Sequence, residues 1–254
     1  FQKILEFCMR FDTSVIDFRD KIGETALAHA AFDGNDDFVK LLLENGASHR
    51  ISSEGYSDHS AHCNGYTPLH WICSKGTLLN TQKGMSCLLE LISGGAWLTV
   101  LSSRLKSPLD VLLSKATSTT VSNIFKEIME TELISKGSGA PLNSNLVVID
   151  ALNGVLTKLR LGDIDFSKVL NIINSLPEDK VTDLITGLTE ESLNTLVGCS
   201  RSQSVFSHVV LEALLQKEES LTANNLKNLV IKFKDRHDDS VISRLSPASL
   251  NNMV

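Results

Sequence analysis

Apolar positions recur at steps of three and four through most of the chain, the spacing that puts them on one face of a helix. Leu69, Ile72 and Cys73 share a face, as do Val121, Ile124, Phe125 and Ile128 in a long helix expected over 121–133. Asp36–Glu44 is expected to be helical and to bury Phe38, Val39, Leu41, Leu42 and Leu43. Further helices are expected over 146–161 and 204–215. Thr67 is suited to cap a helix that Pro68 enters at its first position, where a missing N–H costs nothing. Gly46 is suited to the left-handed backbone that follows a helix end. The fold class read from this pattern is all-α.

Two stretches of the first half repeat each other. Gly23-Glu24-Thr25-Ala26-Leu27-Ala28-His29-Ala30-Ala31-Phe32-Asp33-Gly34 aligns with Gly65-Tyr66-Thr67-Pro68-Leu69-His70-Trp71-Ile72-Cys73-Ser74-Lys75-Gly76. The first runs on through Leu41-Leu42-Leu43 to Gly46-Ala47, and the second through Leu88-Leu89 to Gly94-Gly95-Ala96. A third start stands at Ser107-Pro108-Leu109-Asp110. Two insertions break the period. One, about 50–62, falls at a hairpin finger, and the other, about 77–84, falls between the two helices of one repeat.

These stretches resemble the ankyrin repeat family, whose signature tetrapeptide is complete in Thr67-Pro68-Leu69-His70. The third copy departs from the pattern: Asp110 stands where the family has His, and Leu105 where it has Gly. The resemblance covers about 1–136 and implies about three repeats plus a partial N-terminal one, of which Phe1–Met9 would be the second helix. Each unit leaves an apolar face open, so the array is expected to be stable only by stacking. His70 is expected to structure its turn through hydrogen bonds, and Cys73 to be core.

The linker is expected at 137–143, in a run of small residues and Pro, with a helical domain over 144–254. There an apolar residue, usually a capping or turn residue, and a further apolar run recur at Leu176-Pro177, Leu188-Thr189, Leu221-Thr222 and Leu245-Ser246. Thr189, Thr222 and Ser246 read as helix caps, with Leu188, Leu221 and Leu245 stapling onto Leu193, Leu226 and Leu250. The expected result is a C-terminal bundle of short helices, solenoid-like in its tight turns. A chain that starts at Phe1 and stops inside a copy at Val254 is expected to be part of a longer protein.

Composition narrows the function. The net charge is −6. Residues 1–139 carry 13 basic and 16 acidic groups and residues 140–254 carry 11 and 14, so both halves are −3 and neither is a basic nucleic-acid-binding domain. The longest apolar runs, four or five residues, fall far short of a membrane span. Five cysteines form no regular framework, which points to free thiols in a reducing, cytoplasmic compartment. His49, Asp58, His59, His62 and Cys63 crowd the first insertion, but their spacing is not that of a structural zinc site, and no metal or cofactor is assigned. Cys199, nine residues before His208, is the least explained thiol. It carries the alternative reading, a cysteine-dependent hydrolase or transferase or an enzyme-recruiting module, and no catalytic residue is assigned. Lys232, Lys234, Arg236 and His237 are interleaved with acids and read as a solvated helix end.

The resemblance implies a protein partner held on the concave strip of hairpin tips and first helices. Rigid stacking preorganises such a strip and limits the ordering entropy lost on binding. Carried over position by position, the strip comprises Lys21, Ile22, Glu24, Phe32 and Asp33, then Cys63, Asn64, Tyr66, Ser74 and Lys75, then Ser103, Arg104, Lys106, Ser114 and Lys115. Phe32 and Tyr66 read as aromatic anchors, with packing against the neighbouring turn the other reading of Phe32. The strip is acidic at the first repeat and basic at the third. Irregular arrays fused to helical domains also look similar to bacterial effectors that act in the host cytoplasm.

Overall fold

A computed structural model describes residues 3, 12–54, 65–131, 133–134, 141–159, 166–199, 206–235 and 240–253. Among these, every regular element is a helix, and the only strand-like pairings are isolated bridges, Arg19 with Thr25 and Ile134 with Pro141. The chain divides into two compact units, 1–144 and 145–254.

The first unit consists of three helix pairs: α1 (Ala26–Asp33) with α2 (Asp36–Glu44), α3 (Pro68–Cys73) with α4 (Gln82–Ser93), and α5 (Pro108–Lys115) with α6 (Ser118–Glu130). First helices pack on first helices, α1 on α3 and α3 on α5, while α2 packs on α4. Leu27, Leu69, Leu109 and Leu112 are the buried leucines of the first helices, and Val39, Leu42, Leu88 and Leu91 belong to the buried faces of α2 and α4. Burial on α2 is narrower than the pattern suggests, because Phe38, Leu41 and Leu43 keep part of their surface exposed. The long sixth helix begins three residues before its expected start, because Thr117 caps it, its hydroxyl accepting from Thr120 N–H. The second insertion forms a 3₁₀ turn, Leu78–Asn80, and drives Leu79 into the core. The first insertion lies largely outside the described residues, as does Phe1–Met9 apart from Lys3.

Each first helix starts on a different side-chain device. Thr25 accepts Ala28 N–H at 3.2 Å. At α3 the imidazole Nδ1 of His70 accepts Thr67 N–H at 3.1 Å and pairs with the Thr67 hydroxyl at 2.8 Å. At α5, Asp110 takes over the task of that histidine: its carboxylate accepts Ser107 N–H at 2.7 Å while Ser107 Oγ accepts Asp110 N–H at 3.2 Å. Gly23 and Gly65 turn their hairpins at φ +80° and +81°, and Leu105 occupies the matching turn of the third hairpin at φ +58°. A side chain with a Cβ is strained in that conformation by about 1–2 kcal/mol.

The second unit holds α7 (Ser144–Leu159), which opens at the boundary, then α8 (Phe166–Ser175), α9 (Glu178–Gly187), α10 (Glu190–Cys199), α11 (His208–Leu215), α12 (Ala223–Lys234), α13 (Val241–Arg244) and α14 (Pro247–Met253). Helices pack on their next-but-one neighbours, α9 on α11, α10 on α12 and α12 on α14, as in a solenoid of helix pairs. The capping residues are held from two sides. Thr189, Thr222 and Ser246 accept the N–H three residues on, at 3.2, 3.4 and 3.2 Å. Their own N–H groups donate to side chains of earlier elements: Thr189 to Asn153 at 3.0 Å, Thr222 to Asn194 at 2.8 Å and Ser246 to Glu218 at 2.8 Å. Leu188, Leu221 and Leu245 are all buried, as staples require.

A further copy of this device, hidden in the sequence because its staple is aromatic, is Phe206-Ser207. Ser207 accepts Val210 N–H at 3.3 Å and donates to Asn174 at 2.9 Å. It starts α11 at His208, later than the 204 expected. At Leu176-Pro177 no side chain caps, and α9 begins with Pro177 in that place.

Candidate partner-binding face

The first helices are short and expose the side opposite their buried leucines, so the residues between the core positions line a common strip. At its centre five side chains form one cluster. The Phe32 and Trp71 rings meet edge to face at 5.3 Å, Tyr66 meets Trp71 at 5.2 Å, and Tyr66 stacks on His70 at 5.0 Å. The Lys75 ammonium sits 3.5 Å above the Phe32 ring, within cation–π range. Phe32 is 37% exposed, and Tyr66, Trp71 and Lys75 are half-buried. Phe32 is therefore both packed and open, which joins the two readings of it.

Trp71 was not among the expected strip residues. Its signal was available: it lies between Leu69 and Ile72 on α3 yet off their buried face. Its indole N–H donates to the Glu24 carboxylate at 3.0 Å. Glu24, expected on the open strip, is only 6% exposed. Burial raises its carboxyl pKa, opposed by hydrogen bonds from Trp71 and Ser53. It ties the first hairpin to the second repeat. Lys21, Ile22 and Asp33 are exposed at the first repeat, and Arg104, Lys106, Ser114 and Lys115 at the third. Ser74 is half-buried, its hydroxyl donating to Trp71 C=O at 2.7 Å. Cys63 and Asn64 lie outside the described residues, as do Asp58, His59 and His62.

The strip is held rigid from beneath. His70 is fully buried, and its Nε2 donates to Lys106 C=O at 3.0 Å, bridging the second repeat to the third hairpin. With Nδ1 accepting at Thr67, the ring is the neutral tautomer protonated on Nε2. Burial pushes its pKa down to about 4. Arg19 donates to Gly23 C=O at 3.1 Å and to Ser52 C=O and pairs with Glu54 at 3.4 Å, tying the first finger to the second.

On the third finger Trp97, Val100, Leu101 and Leu105 are exposed, a patch the sequence reading did not single out. His49, Arg50, Thr67, Trp97 and Val100 line a shallow cavity of about 320 Å³ at its base. Cys73 and Cys87 are fully buried; burial raises both thiols, Cys87 to about 12 with help from Asp36 and Glu90. Cys199 is half-buried at the end of α10, and His208 pairs with Glu212 at 3.5 Å. Of the basic group at the end of α12, Lys232 is half-buried, 5.3 Å from the Phe206 ring centre, while Arg236 and His237 lie outside the described residues.

Residues 2–94 match the family model for ankyrin repeats in three copies. This stretch of the chain is an ankyrin-repeat array, a protein–protein interaction module. The α5–α6 pair, beyond the match, continues it by packing α5 on α3. No curated protein matches the chain. Among the described residues no helix is long and apolar enough to cross a membrane.

Proposed function

We propose that the protein is an interaction adaptor whose array captures a protein partner on the strip running from Phe32 through Tyr66, Trp71 and Lys75 to Lys115. The observation that carries this reading is the central cluster. Three aromatic rings and one ammonium are fixed against each other, partly open to solvent, over a base tied down by His70 and Glu24. Such preorganised aromatic and cationic groups are what binding hot spots are made of. Little side-chain freedom remains to be lost when a partner docks. In this reading the protein acts in a reducing compartment, the cytoplasm, which the buried free thiols Cys73 and Cys87 support. For a translocated effector, the partner is a host protein and the compartment the host cytoplasm; the degenerate third repeat and sparse Trp and Tyr accord with that.

The test is affinity capture from a eukaryotic cell lysate with mass spectrometry. Lys75→Glu is the cleanest variant, since Tyr66→Ala also removes the stack on His70. Lys75→Glu and Phe32→Ala are expected to lose proteins that the wild type retains, with Lys75→Glu still folded and destabilised by no more than about 1 kcal/mol, the worth of its contact with Phe32. Retention of every captured protein by both variants refutes the strip as the binding face.

A further inference from the structure

We propose that the half of this face built by the second and third repeats receives an acidic stretch of the partner, with an aromatic or aliphatic residue seated against Tyr66 and Trp71. The proposal rests on the adaptor reading and adds the chemistry of the partner. In a chain of net charge −6, this half presents Lys75, Arg104, Lys106 and Lys115. The last three are exposed, and Lys75 is fixed over Phe32. The carboxylate between them in sequence, Asp110, is turned back onto Ser107 N–H at 2.7 Å and is occupied in starting α5.

Backbone contacts set Lys106 and Lys115 against the second repeat, one at each end of α3. A Cβ added at Gly76 would lie 2.8 Å from the Lys115 carbonyl, so the ends of α3 and α5 abut beside Lys75. The His70 bond to Lys106 C=O places the third hairpin against the start of α3. An apolar seat therefore lies one repeat from a basic bank. Packed helices are about 8–10 Å apart, and an extended chain advances about 3.3 Å per residue. The first carboxylate is thus expected about three positions from the seated apolar residue.

The probes are fluorescein-labelled 12-residue peptides in a Gly/Ser background. One carries a single Phe followed, three positions on, by Glu-Glu-Asp, and is made in both chain directions. A second has Lys at the acidic positions, and a 12-nucleotide single-stranded DNA tests for a phosphate backbone instead. Fluorescence anisotropy is read on the full chain and on the Lys75→Glu/Lys106→Glu/Lys115→Glu variant, with folding checked by its thermal melt. The expected result is at least tenfold tighter binding of an acidic peptide than of the lysine peptide by the wild type, weakening with salt, and a reversed preference in the variant. Equal binding of both peptides, no measurable binding, an unreversed preference, or binding of the DNA as tightly as the acidic peptide overturns the proposal. If lysate capture still depends on Phe32 and Lys75 in that event, the adaptor reading stands and only the acidic partner falls.

Discussion

The buried His70 makes the stability of the array depend on pH in a calculable way. In the folded chain burial pushes its pKa down to about 4, from 6.5 for a free imidazole. Between these values the unfolded chain binds a proton that the folded chain excludes, so stability falls as pH is lowered through this window and levels off below it. At 1.36 kcal/mol per unit, the full difference is about 3 kcal/mol, of which about 2 kcal/mol lies between pH 7 and pH 5. Both tryptophans, Trp71 and Trp97, belong to the first unit, so urea unfolding followed by their fluorescence reports on the array alone. His70→Asn keeps an acceptor near Thr67 but cannot reach Lys106 C=O. It is expected to lose about 1–3 kcal/mol at pH 7 and most of the loss on going to pH 5. Of the remaining groups, His49, whose pKa is also lowered by burial, contributes with the same sign, and Glu24, whose carboxyl is raised, with the opposite sign. If His70→Asn loses as much between pH 7 and pH 5 as the wild type, His70 is not the neutral tether described.

Leu105→Gly relieves a left-handed backbone at a residue that is 71% exposed, against an entropic cost of glycine of about 0.4–1 kcal/mol. A net gain of about 0.5–1 kcal/mol in urea unfolding is expected, and a loss contradicts the strain. Asn194→Ala removes the acceptor for Thr222 N–H and one of the two acceptors of the buried Asn225 amide, which keeps its bond to the backbone carbonyl of residue 194, so the second unit is expected to lose about 1–3 kcal/mol by circular dichroism melts. Asn145→Ala, which removes one exposed bond to Asp183, is expected to change it by less than about 0.5 kcal/mol. Comparable effects of the two refute the ladder of doubly held caps. Cys73 and Cys87, buried with raised thiol pKa values, are expected to resist N-ethylmaleimide in native protein and to label fully in urea, as read by peptide mass spectrometry; rapid native labelling contradicts their core placement.

The repeat was legible because its marks are local. Thr67-Pro68 fixes a helix start, Gly46 fixes an end, and the departures at Leu105 and Asp110 could be named before their geometry was known. What Asp110 does was not legible: a carboxylate can replace imidazole at the cap, but not reach the next hairpin as His70 does. The site was half legible. Exposed positions followed from the repeat, but Glu24 is buried because Trp71 covers it, a contact spanning 47 residues that no local pattern encodes. In the second unit the caps were readable from Leu-Thr and Leu-Ser pairs. The side chains that hold them, Asn153, Asn194 and Glu218, stand 28–36 residues upstream, and Phe206-Ser207, held by Asn174, was hidden by its aromatic staple.

The central claim is that partners meet the first helices and not the second. A photo-crosslinking amino acid placed at exposed Ser114, on α5, and separately at exposed Lys40, on α2, tests it in one experiment. Irradiation in lysate is predicted to give discrete crosslinked species from position 114 and none from position 40. Crosslinks from position 40 alone would contradict the account.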